Sequence, residues 1–144
     1  MCETTVRAEL LLPTSTTSPR AARAFARESE CAEHATCLLD EALLLVSELV
    51  TNAVRHGAPP ILVAMECDGS GLRIHVRDGD VALPQQRQAL ADDEGGRGLA
   101  LLEALSDAWG VEPVADEHGV GKAVWFELRM PDQGPRARAF AGPV

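Results

Sequence analysis

The chain has 144 residues, 46% of them hydrophobic but only 3% aromatic, so a single domain with a core of aliphatic side chains and alanine is expected. It carries 13 Lys and Arg against 22 Asp and Glu, a net charge of −9. A field of that sign repels phosphate backbones and argues against duplex DNA or RNA as a direct partner, although it leaves room for one nucleotide held by backbone N–H groups and a divalent cation. No apolar run reaches the ~18 residues of a membrane span, and the N-terminus carries no cationic stretch followed by an apolar one, so a cytoplasmic protein without a membrane partner is expected.

In chain order, Val6 to Leu10 alternates and Leu11 and Leu12 lead into Pro13, which reads as a short strand. Ser18 and Pro19 form an N-cap and first helical position, predicting a helix from Pro19 to Glu30. Residues 31–37 are ambiguous; Cys31, His34 and Cys37 have a spacing open to metal binding, but they read better as small residues on a helix because no fourth ligand is near in sequence. With Cys2 and Cys67 these make four cysteines without a C-x-x-C pair, which suits reduced thiols. From Leu38 to His56, apolar residues recur at helical spacing, and Gly57 stands where a left-handed C-cap belongs, before Pro59 and Pro60. Ile61–Cys67 and Leu72–Asp78 read as a hairpin. Residues 79–94 read as a polar loop with a short helix near Gln85–Leu90. A helix over Leu99–Asp107 follows a glycine cluster, and strands are predicted over Trp109–Val114 and Ala123–Met130. The tail from Pro131 is rich in Pro, Gly, Ala and Arg and is expected to be disordered, giving one domain over residues 1–131 and a tail over 132–144. The order predicts an α+β fold, a two-layer α/β sandwich with helices on one face of a mainly antiparallel sheet.

Three places carry chemistry. On the long helix, Glu48 and Asn52 are four residues apart and share one face. The Asn oxygen is a hard donor for Mg²⁺ and the Glu a proton acceptor; a solvated polar stripe is the plain alternative. In Leu72–Asp78, period-two alternation puts Leu72, Ile74, Val76 and Asp78 on the core face and Arg73, His75 and Arg77 on the other. A carboxylate ending a buried row requires a partner, either an internal donor or a ligand such as an adenine amino group, with Gly79 permitting close approach. The third place is Glu94-Gly95-Gly96-Arg97-Gly98-Leu99, where glycines at a helix N-terminus suit a phosphate chain and a flexible linker is the alternative.

Glu48-Leu49-Val50-Thr51-Asn52-Ala53-Val54-Arg55-His56-Gly57, then Val76-Arg77-Asp78-Gly79, then Gly95-Gly96-Arg97-Gly98-Leu99-Ala100-Leu101-Leu102, then Gly121-Lys122-Ala123-Val124-Trp125-Phe126 come in an order that resembles the anti-sigma-factor serine/threonine kinases of the GHKL (Bergerat-fold) ATPases. The resemblance implies ATP and Mg²⁺ as cofactors, with Asn52 holding the metal and Glu48 acting as general base toward a protein hydroxyl. It implies that Asp78 and Gly79 meet the adenine, and that Gly96, Arg97, Gly98 and Leu99 lie at the phosphates. Arg97 and Lys122 are candidate neighbours of the γ-phosphate. The implied partners are a STAS-domain anti-sigma-factor antagonist as phosphoacceptor and a sigma factor, and the family is usually dimeric. One departure is the first glycine box, which reads Asp78-Gly79-Asp80-Val81-Ala82-Leu83-Pro84 and lacks later glycines. The alternative is therefore a nucleotide-binding module that regulates by docking without phosphotransfer.

Overall fold

The computed structural model describes residues 6–29, 32–68, 70–81 and 94–130, with only the backbone described for residues 6, 32–37 and 94–98. The expected helix near Gln85–Leu90, the tail over 132–144 and the side chains of Cys31, His34 and Cys37 lie outside the described residues. Elements run β1 (Val6–Leu12), α1 (Ser18–Ser29), α2 (Ala32–His56), β2 (Ile61–Asp68), β3 (Gly71–Asp78), α3 (Glu94–Leu105), β4 (Ala108–Asp116) and β5 (Gly119–Arg129). The five strands form one sheet in the order β1-β2-β3-β5-β4, every pair antiparallel. This is the α+β sandwich expected from the sequence, with the apolar sheet face under the helices.

Leu72, Ile74 and Val76 of β3 and Phe126 and Leu128 of β5 point into a core shared with Leu45, Val46, Leu49 and Val50 of α2. Phe126 is fully buried and stands opposite Ile74 in the β3–β5 register, giving the aromatic-poor chain one large side chain at its centre. Helix α1 meets the bundle through Ala22 and Ala26, both almost completely buried. Small side chains there let α1 lie close to α2, and Arg23 closes the seam by donating to Ser47 Oγ at 2.8 Å.

Several local expectations change. Ser18 does not cap α1 with its side chain; its hydroxyl is buried and donates to the Pro13 carbonyl at 2.6 Å, tying the helix start to the end of β1. The Thr17 carbonyl instead accepts the first helical bond, from the Ala21 amide at 3.1 Å. Helix α2 begins at Ala32 and absorbs most of the ambiguous stretch. Helix α3 begins at Glu94, so Gly95, Gly96 and Gly98 lie within the helix rather than before it, and it ends at Leu105. There the Ser106 hydroxyl and amide both donate to the Leu102 carbonyl, while the Asp107 amide crosses to the Glu127 carbonyl at 2.9 Å. Glycine costs up to ~1 kcal/mol per helical position relative to Ala. The anchors that offset this cost are the buried side chains of Leu99 and Leu102.

The other sheet face carries charge. Arg7 pairs with Glu66, and Arg73 pairs with Glu127 at 3.3 Å. The Arg73 guanidinium also lies 4.4 Å from the centre of the Trp125 ring, which covers Gly110 so closely that a Cβ there would meet Nε1 at 2.8 Å. Arg77, on the face opposite the core row, is nonetheless buried because its long side chain runs under the β4–β5 hairpin, where it donates to Asp116 Oδ2 and to the Gly119 carbonyl. A cavity of about 230 Å³ opens on this face, lined by His75, Arg77, Glu112, Asp116 and His118 among others.

Burial, and then the nearby Arg73 cation, hold the His75 imidazole below its ordinary value of 6.5. A histidine depressed in the folded state contributes stability that is complete above pH 6.5 and declines as the pH falls below it. Wild type is therefore expected to lose thermal stability relative to His75→Gln between about pH 7.5 and pH 5.5, as differential scanning calorimetry at the two pH values would show.

Candidate functional site

The core row of β3 ends in Asp78, a residue only 5% exposed. The β3–β5 register sets Asp78 opposite Lys122, and the Lys122 Nζ lies 3.0 Å from Asp78 Oδ1. The same oxygen accepts the Asp80 amide at 2.8 Å, an Asx-type turn that starts the segment after β3. The buried carboxylate thus has an internal partner, and a charge-assisted one. Lys122 is accordingly a neighbour of the Asp78 carboxylate, and its ammonium is committed there.

Close backbone packing fixes Asp78 from two sides. A Cβ on Gly57 would fall 2.6 Å from Asp78 Cγ, and one on Gly121 would fall 2.0 Å from the Asp78 carbonyl oxygen. Gly57 is therefore required for space. Its φ is not positive, contrary to the left-handed cap expected, and its amide simply prolongs the helical pattern to the Ala53 carbonyl at 2.9 Å. The turn after α2 then passes through a cis Pro59–Pro60 bond, and the Gly79 amide donates to the Ala58 carbonyl at 2.6 Å. The C-terminal end of α2 and the end of β3 are in this way joined backbone to backbone. Gly57→Ala is expected to displace the Asp78 side chain and break its contact with Lys122. The carboxyl Cγ resonance of Asp78, read by NMR at neutral pH, should shift in the variant.

Asn52 and Glu48 lie one and two turns back along α2 from His56, and both are partly exposed. Asn52 Oδ1 is buried and has no hydrogen-bond partner among the described residues. An unsatisfied buried carbonyl oxygen is costly in a folded chain, and it is the hard donor that a Mg²⁺ ion takes. The residue present therefore fits that metal. Among the described residues, no group of three or more His, Cys, Asp and Glu converges to hold a metal on its own, so a cation here would draw its remaining ligands from a bound phosphate and water.

Helix α3 packs against α2. Gly96, Arg97 and Gly98 fall in its first turns, and Leu99 follows with its side chain in the core. The amides without helical partners are those of the first turn, on the glycine side. The structure thus brings Asp78, Gly79 and the end of α2 into direct contact and sets α3 against the same helix. Sequence reasoning missed the Asp78–Lys122 pair. Its signal was present as an acid and a base of opposite sign, but it becomes legible only once β3 and β5 are known to be neighbours.

The histidine kinase-like ATPase domain matches residues 12–128, all but the ends of the chain. The chain belongs to this family. An uncharacterized protein of Streptomyces coelicolor is 34% identical over 80 residues, a stretch that makes up 52% of this chain and 76% of the relative. Membership carries ATP binding and ATP-dependent chemistry of the kinase or ATPase type. Among the described residues, no helix is long and apolar enough to cross a membrane.

Proposed function

We propose that this histidine kinase-like ATPase domain is a regulatory protein serine/threonine kinase of the anti-sigma-factor type, acting in the cytoplasm. It would phosphorylate a STAS-domain antagonist and bind a sigma factor as a homodimer. The observation that carries the reading is the Asn52 oxygen, buried and without a hydrogen-bond partner among the described residues, one helical turn from Glu48 within E-L-V-T-N-A-V-R-H-G. In this reading Asn52 holds Mg²⁺, Asp78 and Gly79 meet the base, and the first turns of α3, with Gly96, Arg97, Gly98 and Leu99, lie along the phosphates. ATP with Mg²⁺ supplies the transferable phosphoryl group and the charge that neutralises it.

The residues of the chain then have separate duties. Glu48 orients the seryl or threonyl hydroxyl of the partner and accepts its proton as the oxygen becomes a nucleophile. Asn52 fixes the metal relative to Glu48, because four residues of helix set both side chains on one face. Most of the gain in such transfer comes from placement and charge stabilisation, which suits a site built on a rigid 25-residue helix.

Glu48→Ala should abolish transfer of labelled phosphate to a STAS protein, by about 10²-fold or more, while calorimetry shows ATP binding nearly unchanged. Equal transfer by wild type and variant would overturn the assignment. A second reading, a nucleotide-binding module that regulates by docking alone, is favoured by the first glycine box, which lacks glycines after Gly79. Under that reading wild type itself transfers nothing to any STAS partner yet still binds one.

A further inference from the structure

Glu48 and Asn52 belong to a longer row on α2. Positions four apart turn only about 40° round a helix axis, so Asn52, Glu48 and Leu44 form a line that drifts round the helix with each turn. Exposure rises along this line: Asn52 Oδ1 is buried, Glu48 is partly exposed and Leu44 is 43% exposed. Among the described residues, Leu44 is the one large apolar side chain left exposed on a helix; Leu11, Val81 and Val120 lie on strands or just after one. The next step of the row reaches Asp40, which is exposed. The apolar spot is therefore one side chain wide, with an acid a turn away on either side.

From this we infer that Leu44 is a specificity residue for the phosphoacceptor segment of the protein substrate, and that it receives an apolar side chain two positions from the phosphorylated serine or threonine. The inference rests on the kinase reading given above. In that reaction the hydroxyl oxygen bonds to the γ-phosphorus as the bond to ADP breaks, and the hydroxyl proton passes to Glu48. The acceptor must reach Glu48 from the solvent side, because the buried Asn52 oxygen and the core close the other. Leu44 is the apolar side chain beside that approach. Residues four apart on a helix have Cβ atoms about 5–6 Å from each other. Alternate residues of an extended segment stand about 6.6 Å apart on one side. A segment with its hydroxyl at Glu48 can thus lay its second neighbour on Leu44, and water leaves both apolar surfaces. A single leucine between two acids is too narrow to seat a whole helix face or a lipid surface, and it suits one side chain of a short segment.

The test is steady-state transfer of labelled phosphate to a STAS-domain protein at saturating ATP and Mg²⁺, with the whole chain as wild type, Leu44→Glu, Leu44→Met and Val120→Glu. Leu44→Glu should raise the KM for the STAS protein by about tenfold or more, while kcat and the calorimetric affinity for ATP stay within about twofold of wild type. Leu44→Met, which keeps an apolar side chain, should hold KM within about threefold, and so should Val120→Glu, which places the same charge on an exposed valine of β5. Serine in place of the STAS residues two positions either side of the acceptor should raise the wild-type KM in the same way and add little in Leu44→Glu. A KM in Leu44→Glu within about threefold of wild type, a loss confined to kcat, an equal rise in Val120→Glu, or STAS substitutions that act as strongly in Leu44→Glu as in wild type each overturns the inference while the kinase reading stands. Wild type that transfers nothing to any STAS protein overturns the inference together with the reading beneath it. If Leu44→Glu does not fold, as circular dichroism would reveal, Leu44→Ser takes its place with the same expected rise in KM.

Discussion

Gly121→Ala is expected to be among the most damaging single-methyl changes in the chain. The added Cβ would sit 2.0 Å from the Asp78 carbonyl oxygen and 3.0 Å from Gly79 Cα. The atoms it meets are backbone of the neighbouring strand, so no side chain can swing away and β3 and β5 must separate. Gly121 is buried, which removes the option of tilting outward. Overpacking of a well-packed interior costs about 1–3 kcal/mol and sometimes more. With backbone on both sides of the clash the upper end applies, and for a domain of this length about 3 kcal/mol lowers Tm by roughly 10 °C. Thermal denaturation followed by circular dichroism measures this directly. Gly119→Ala is the control: a Cβ there meets nothing within 4 Å, so only the strain of its φ of +99° is added. A Tm for Gly121→Ala no lower than that of Gly119→Ala would show that the strands are farther apart than described.

That contact also shows where sequence reading reaches its limit. The alternation of Leu72, Ile74, Val76 and Asp78 identified the core face of β3 and the buried acid at its end, because side-chain period is a local property of a strand. The identity of the neighbouring strand is not local. β5 comes to lie beside β3 only after α3 and β4 intervene, and with it come Lys122 opposite Asp78 and Gly121 against the Asp78 carbonyl. The same limit explains Arg77, whose burial depends on the β4–β5 hairpin folding over it. Gly57 and the glycines of α3 failed differently. Glycine in sequence signals backbone freedom, whereas Gly57 is needed for the absence of a side chain and Gly95, Gly96 and Gly98 are held helical by apolar anchors further along α3. Propensity is a weak prior, and tertiary packing decided both cases. The Glu48–Asn52 face was legible because a four-residue spacing has one meaning on a helix as strongly periodic as α2.

Asp78→Asn is expected to act on stability and on binding at once, and the two effects can be separated. The carboxamide keeps the shape of the side chain but removes the charge opposite Lys122, leaving an ammonium 12% exposed beside a neutral group. Removing one member of a buried pair costs about 3–5 kcal/mol, most of it the penalty of the uncompensated partner. Asp78→Asn combined with Lys122→Met should therefore recover much of the loss, and a double-mutant cycle from urea denaturation should return a coupling of about 1–3 kcal/mol. In binding, the carboxylate is a stronger acceptor of base N–H groups than the amide, and the amide presents a donor of its own to them. Nucleotide affinity in the folded Asp78→Asn protein should fall by about tenfold or more, with and without Mg²⁺ alike, because the base is held away from the metal that Asn52 would carry. Asn52→Ala gives the complementary result. It should weaken binding chiefly in the presence of Mg²⁺ and leave the metal-free affinity close to that of wild type. Equal affinity in wild type and Asp78→Asn would remove the carboxylate from base recognition and leave the Asp78–Lys122 pair as a clamp between β3 and β5.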